Sequence, residues 1–205
     1  GLSLAEHTFG SDIASDIVTA ASKTGYELTV ETCTDYFDIQ FLKHHPVYDA
    51  HGELHPMLNV GVLLRCSGVC RGDLPGRGDL RTRARNFQKG LLQGLYPRLR
   101  SPLVDAMKAA VADATVTKRI QNIVSSTFEY KTDPDAPVVV VDRDEFYRRY
   151  RLEAFEREFI DSELGSADVF EQVTSQGIGE ILRRDYSLGI NVGIFGEVSP
   201  PFVVH

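Results

Sequence analysis

The chain has 205 residues, 42% hydrophobic and 25% charged, a balance that excludes disorder throughout and suits one folded domain or two small ones. Its 22 Lys+Arg against 29 Asp+Glu give a net charge of −7, which taken as an average opposes a free-standing nucleic-acid binder. That average conceals an asymmetry. Residues 71–120 carry eleven cations (Arg71, Arg77, Arg81, Arg83, Arg85, Lys89, Arg98, Arg100, Lys108, Lys118, Arg119) against Asp73, Asp79, Asp105 and Asp113, a local +7 that leaves −14 elsewhere. No apolar run approaches the ~18 residues of a membrane span, and no basic-then-apolar signal pattern opens the chain, so a soluble intracellular protein is expected. Cys33, Cys66 and Cys70 are too few for a disulfide framework and read as reduced thiols. Gly1 in place of Met reads as the start of a processed product or a fragment.

In chain order, Ser11 caps an amphipathic helix with Ile13, Ile17, Val18 and Ala21 on one face, ending at Gly25. Strands are expected at Leu28-Thr29-Val30, at Phe37 to Leu42 and at Leu58 to Leu64. The glycines and proline of 66–80 make a loop. Asp79 then caps a helix to about Tyr96, with Leu80, Ala84, Phe87, Leu91 and Leu95 on one face and Pro97 ending it. Ser101-Pro102 opens another helical stretch through Val111, continuing with a break to Ile120 and Val124. Beyond a linker, Thr132 to Pro137, come a short strand at Val138–Val141, a charged helix from Asp144 to Leu164 ended by Gly165, and helices at Ala167–Gln176 and Glu180–Tyr186. The weakly charged run from Ser187 is expected to lie extended against an apolar surface. The fold expected is α+β: a helix and short antiparallel strands over 1–70, followed by a mainly helical region over 71–205.

The chain contains no Gly-rich phosphate loop, serine nucleophile elbow or zincin motif. His44, His45, His51 and His55 with Cys66 and Cys70 offer zinc-type ligands, but their spacing fits no standard module, and the His-Pro pairs at 45–46 and 55–56 suit turns. Arg71-Gly72-Asp73 and Arg77-Gly78-Asp79 repeat the integrin-recognition tripeptide, which would suit a non-enzymatic viral structural or receptor-binding protein, and a mobile loop ending in a capping Asp79 explains the same letters. The basic stretch suits a groove following a nucleic-acid backbone, and equally a solvated helix face balancing the acidic remainder.

The helix ending at Gly25-Tyr26, then Glu27-Leu28-Thr29-Val30-Glu31, then Phe37-Asp38-Ile39-Gln40-Phe41-Leu42-Lys43, a polar turn and His55-Pro56-Met57-Leu58, resembles the RNA-dependent RNA polymerases of picornavirus-like positive-strand RNA viruses. In that family motif D is a helix followed by a strand, motif E is a hairpin carrying Phe-Leu-Lys, and a helical thumb follows. The motifs cover about residues 1–65; the remainder matches only in order and helical character. The resemblance implies the C-terminal palm segment (1–70) and thumb (71–205) of a viral RNA-directed RNA polymerase, a nucleotidyltransferase of the host cytoplasm or virion. The Gly-Asp-Asp motif would stand before Gly1, so the carboxylates holding Mg2+ or Mn2+ would lie on a second polypeptide or a missing segment. This chain would then have no catalytic residue and bind no metal. RNA template and product, nucleoside triphosphates and the second polypeptide would be its partners, with no membrane. Phe41, Leu42 and Lys43 would grip the primer end, with Lys43 near phosphate, and Arg77, Arg81, Arg83, Arg85 and Lys89 would line the product path. Asp35 stands where the family's general-acid lysine is expected, so no general acid is assigned.

Overall fold

The computed structural model describes residues 13–28, 30, 33, 35–68, 73–128, 137–169 and 171–186. Within them lie eight α-helices, a two-stranded antiparallel sheet and a pair of two-residue parallel strands, an α+β arrangement dominated by helix. None of these helices is long and apolar enough to cross a membrane. The Ser11 cap, Thr29, residues 132–136 of the expected linker, Arg71-Gly72, Cys70 and the run from Ser187 lie outside the described residues.

Helix α1 (Ile13–Lys23) forms where expected, with Lys23 complementing the carbonyl end, yet it contains no buried residue. Leu28 and Val30 are not in strands. Residues 37–42 do not form a strand either. A 3-10 turn, Tyr36–Asp38, replaces its first half because the Asp35 carboxylate accepts the Phe37 N–H at 3.0 Å, a local bond that competes with extended pairing.

The hairpin is displaced towards the histidines: β1 (His44–Tyr48) pairs with β2 (Leu54–Leu58), with Pro46 opposite Pro56. Two prolines in five-residue strands argue against a sheet by composition, but their positions remove the objection. The His44 N–H goes to Phe41 and the Tyr48 N–H to Glu145, so alternate residues of β1 point their N–H groups away from β2. Pro46 and Pro56 occupy that outward-facing set, cost the ladder nothing and leave both outer edges short of a donor. In the connecting loop the Asp49 Oδ1 accepts the N–H groups of His51 and Glu53, each at 2.8 Å.

Residues 58–64 are not one strand, because helix α2 (Val60–Gly68) begins two residues after Leu58. Its first amides find tertiary acceptors: Val60 N–H donates to the Tyr150 hydroxyl at 2.9 Å and Gly61 N–H to the Asp185 carboxylate at 2.7 Å. These partners satisfy a helix terminus that the Val-rich sequence alone would disfavour.

Helix α3 (Leu80–Leu95) starts at the Asp79 cap, and Leu91 and Leu95 are buried as expected, whereas Leu80 is exposed. The expected break separates α4 (Pro102–Ala110), capped by Ser101, from α5 (Lys118–Phe128). Strands β3 (Leu99–Arg100) and β4 (Val139–Val140) run parallel. The single helix expected over 144–164 is divided into α6 (Arg143–Tyr147), a 3-10 turn at Arg148–Tyr150 and α7 (Ala154–Ser166). The break falls at Arg151, in the left-handed region at φ +52°. Gly165 does not end α7; it lies inside the helix against Ala106 of α4. The expected helix at 167–176 is absent from the described part of that segment, and α8 (Gln176–Asp185) begins at a Ser175 cap.

One apolar cluster joins the hairpin to the helices, with Val47, Met57, Val60 and Leu63 packed together with Leu92, Tyr96, Leu103, Phe146, Tyr150 and Ile181. The hairpin is therefore built onto the helical layer. A smaller cluster, Leu91, Ile120 and Val124, joins α3 to α5.

Candidate functional site

Phe41 to His44 form a tight turn. The Phe41 and His44 backbones exchange both N–H to O bonds at 2.9 Å, and Leu42 and Lys43 between them have φ of +49° and +63°. This is the φ signature of a type I′ turn, which usually takes Asn or Gly, so two ordinary side chains there carry strain. The Phe41 and Leu42 side chains are 60% and 76% exposed. Lys43 turns inward instead: its ammonium donates to the Asp185 carbonyl at the end of α8 and lies 4.5 Å from the Tyr186 ring centre. A cation on the carbonyl end of a helix is favourably placed, and the contact offsets part of the turn's strain. Lys43, expected near phosphate, is engaged in this structure by the C-terminal end of α8.

Behind the turn lies a buried polar hub. The Asp185 carboxylate is fully buried and accepts from Tyr150 at 2.8 Å, Gly61 N–H at 2.7 Å and Arg149 at 3.1 Å. Burial pushes its carboxyl above the usual range, and the bonds from Tyr150, Gly61 and Arg149 oppose that push. Arg149, itself buried, also donates to the carbonyls of Phe37 at 3.2 Å and Asp38 at 2.9 Å. Arg151 pairs with Asp35 and Asp38, Arg184 pairs with Asp38, and the Arg148 guanidinium lies 4.4 Å from the Phe37 ring centre. Four arginines thus fasten residues 35–38, and with them the approach to the turn, onto the C-terminal helices.

His45, beside the hub, is buried, and its Nδ1 meets Asn59 Oδ1 at 2.7 Å. Asn59 donates its amide to Gln40 at 3.0 Å, which orients its oxygen towards the imidazole and makes Nδ1 the protonated nitrogen. Burial, together with the charges of Arg149 and His44, lowers the His45 pKa to about 4, against the bond from Asn59.

The basic stretch is largely occupied by the fold. Arg83 holds Asp73 at 2.7 Å and the Leu74 carbonyl at 3.0 Å. Arg85 holds the Ala110 carbonyl at 2.8 Å and Asp113 at 2.5 Å, while Lys89 donates to the carbonyls of Ala112 and Ala114. These side chains tie the loop after α4 to α3. Arg81 is 61% exposed and pairs with Asp168, and Arg77 is exposed with no ion pair among the described residues. Both Arg-Gly-Asp carboxylates are likewise engaged, Asp79 capping Thr82 N–H at 2.7 Å and Asp73 pairing with Arg83.

The histidines and cysteines do not assemble into a zinc site among the described residues. The group close enough to share an ion there is Asp49, Glu53 and His55 in the hairpin loop. Asp49 already spends one oxygen on two N–H groups and the other on His55 Nε2 at 3.1 Å, and Glu53 is 75% exposed. That donor set does not fit two-metal phosphoryl transfer, which needs converging open carboxylates.

Sequence reasoning singled out Phe41-Leu42-Lys43 but missed Asp185, Arg149, Tyr150 and Asn59. Their only signal was polar residues beside apolar positions, as in Arg149-Tyr150 and Asp185-Tyr186, which a charged helix displays equally. No protein-family model, curated protein or solved structure matches the chain.

Proposed function

We propose that the chain is the C-terminal palm segment and thumb of a viral RNA-dependent RNA polymerase, working with a second polypeptide or segment that carries the metal-binding carboxylates. The observation that carries this reading is the exposed Phe41–Leu42 tip at the root of a hairpin clamped to a helical layer by Lys43, Arg149 and Asp185. A primer end must be held within fractions of an ångström of the reacting phosphate, so a gripping element has to be rigid and open to solvent at its tip. The turn meets both demands. Mg2+ or Mn2+ on the other part would supply the charge stabilisation of nucleotidyl transfer; this chain's share is to position primer and product.

Helix α1, with an apolar stripe and no buried residue, and Tyr26 and Leu28, 70% and 48% exposed, supply a face for that second polypeptide. In this reading Lys43 is a positioning residue holding the turn. Arg77, and Arg81 by exchanging its solvent-exposed pair with Asp168, follow the product backbone, since Arg83 is held by the loop before α3 and Arg85 and Lys89 by the end of α4 and the loop after it.

Reconstitution tests the proposal. The chain alone should incorporate no nucleotide, and adding a polypeptide bearing the A, B and C motifs should restore primer extension. Replacing Phe41 and Leu42 together by Ala should lower extension of the reconstituted enzyme while leaving the melting temperature unchanged. Primer extension by the chain alone, or full activity of the double variant, would overturn it.

A further inference from the structure

A cavity of about 170 Å³ lies where the hairpin meets the end of α3 and the parallel strand pair. Val47 and Met57 of the hairpin, Leu95 at the end of α3, Leu99 of β3 and Val139 of β4 give it an apolar wall. Val47 and Met57 are 1% and 2% exposed, so part of this wall belongs to the packed interior. The polar side of the lining is different in kind. Arg98, His44 and His55 contribute to it, and among the described residues no carboxylate does. Asp49, which accepts from His55 Nε2 at 3.1 Å, is outside the lining.

We propose that this cavity binds a small aromatic acid, with its ring against the apolar wall and its carboxylate on Arg98. Size selects the ring. An apolar cavity of roughly 150 Å³ holds a benzene molecule, whereas drug-sized ligands need roughly 300 Å³ or more, so the volume here suits one six-membered ring. Ring carbons packed against Val47, Met57 and Leu95 leave water and gain dispersion contacts on every side. The imidazoles of His44 and His55 add flat partners, which favours an aromatic ring over an aliphatic one. Both are already oriented, His44 Nδ1 by the Leu42 carbonyl at 2.9 Å and His55 by Asp49. Charge selects the acid. A guanidinium matches a carboxylate with two parallel N–H to O bonds, and no acid in the lining opposes an anion. A neutral aromatic would gain the wall alone, and acetate the cation alone. The inference does not require the polymerase reading, and it is tested on the chain without RNA, nucleotide or a second polypeptide.

The chain has two methionines, of which Met57 lines the cavity and Met107 is buried in α4. Their methyl groups, isotope-labelled and followed by NMR, therefore report on the site and on a control position in one titration. Benzoate should shift the Met57 signal to saturation, through the magnetic field of its ring, and leave Met107 in place. It should bind roughly tenfold more tightly than benzyl alcohol or acetate, the gain from pairing a carboxylate with Arg98 beside an apolar wall. Arg98→Gln should bring benzoate down to the affinity of benzyl alcohol and leave benzyl alcohol itself unchanged. Val139→Phe, which fills the cavity, should abolish the Met57 shift. No Met57 shift at millimolar benzoate, equal shifts of both methionines, equal affinity for benzoate and benzyl alcohol, or undiminished benzoate binding by Arg98→Gln would each overturn the proposal. Should Val139→Phe melt early, the comparison of benzoate with benzyl alcohol in wild type and Arg98→Gln decides alone.

Discussion

At the residue scale, the hairpin root is held by groups whose charge states depend on being buried together. His45 shows this most directly. It faces Asn59, His44, Arg149 and the ring of Tyr150, and burial keeps it neutral down to about pH 4. In the unfolded chain the same imidazole takes up a proton near pH 6.5. Between those values the unfolded state binds more protons than the folded one, so stability falls as the pH drops through that window. The loss between pH 7 and pH 4.5 amounts to about 2 kcal/mol from this one group, at ~1.4 kcal/mol per unit. Urea unfolding of wild type and His45→Phe at both pH values checks it. The variant should be less stable at pH 7, having lost the Asn59 bond, and its drop on acidification should be smaller by about that amount. Equal drops in the two proteins would show that His45 does not carry the dependence. The sequence exposed His45 only as one of four neighbouring histidines. Its burial follows from strand register, which Pro46 and Pro56 disguised.

At the element scale, caps were legible and long-range partners were not. Asp79, Ser101 and the break between α4 and α5 are local chemistry, readable from one or two residues. The helical state of Val60-Gly61-Val62 depends on Tyr150 and Asp185, some ninety and more residues away, and no local pattern encodes it. The pairing of α3 with α5 lies between these cases. Gly90 and Gly94, one helical turn apart, face Ile120 and Val124, and a Cβ built at either glycine would overlap the partner's methyl group. Ile and Val are stiff at χ1, so neither can rotate clear. Gly→Ala in a helix interior ordinarily stabilises by about 1 kcal/mol. Here Gly94→Ala should instead destabilise by about 1–3 kcal/mol, as overpacking does, and Gly90→Ala should behave alike. Thermal melts of the two variants decide, and a raised midpoint in either would mean that α5 moves aside at little cost.

At the scale of the whole molecule, cations of the basic stretch are engaged mainly by acids and carbonyls of that same stretch. Asp73 and Asp113 receive Arg83 and Arg85, and the Ala112 and Ala114 carbonyls receive Lys89, whereas Arg81 reaches outside it to Asp168 in a solvent-exposed pair that a phosphate replaces at little cost. A count of cations along the sequence therefore overstates the charge offered to RNA, which is why composition could not separate a nucleic-acid groove from a balanced helix face. The two arrangements differ in salt dependence. Single-stranded binding weakens with log salt at a slope of about −0.7 per phosphate neutralised. If Arg77, Arg81, Arg83, Arg85 and Lys89 all met phosphates, the slope would be about −3.5; with Arg77 and Arg81 alone it should lie near −1.4. Titration of the chain with a labelled single strand across a salt series should give the shallower value. Arg77→Gln should reduce that slope by about 0.7, whereas Arg85→Gln, which removes the bonds to Ala110 and Asp113, should lower the melting temperature and leave the slope unchanged. A slope near −3.5 would mean that α3 releases its internal partners when RNA arrives, at the expense of the contacts that hold the loop after α4.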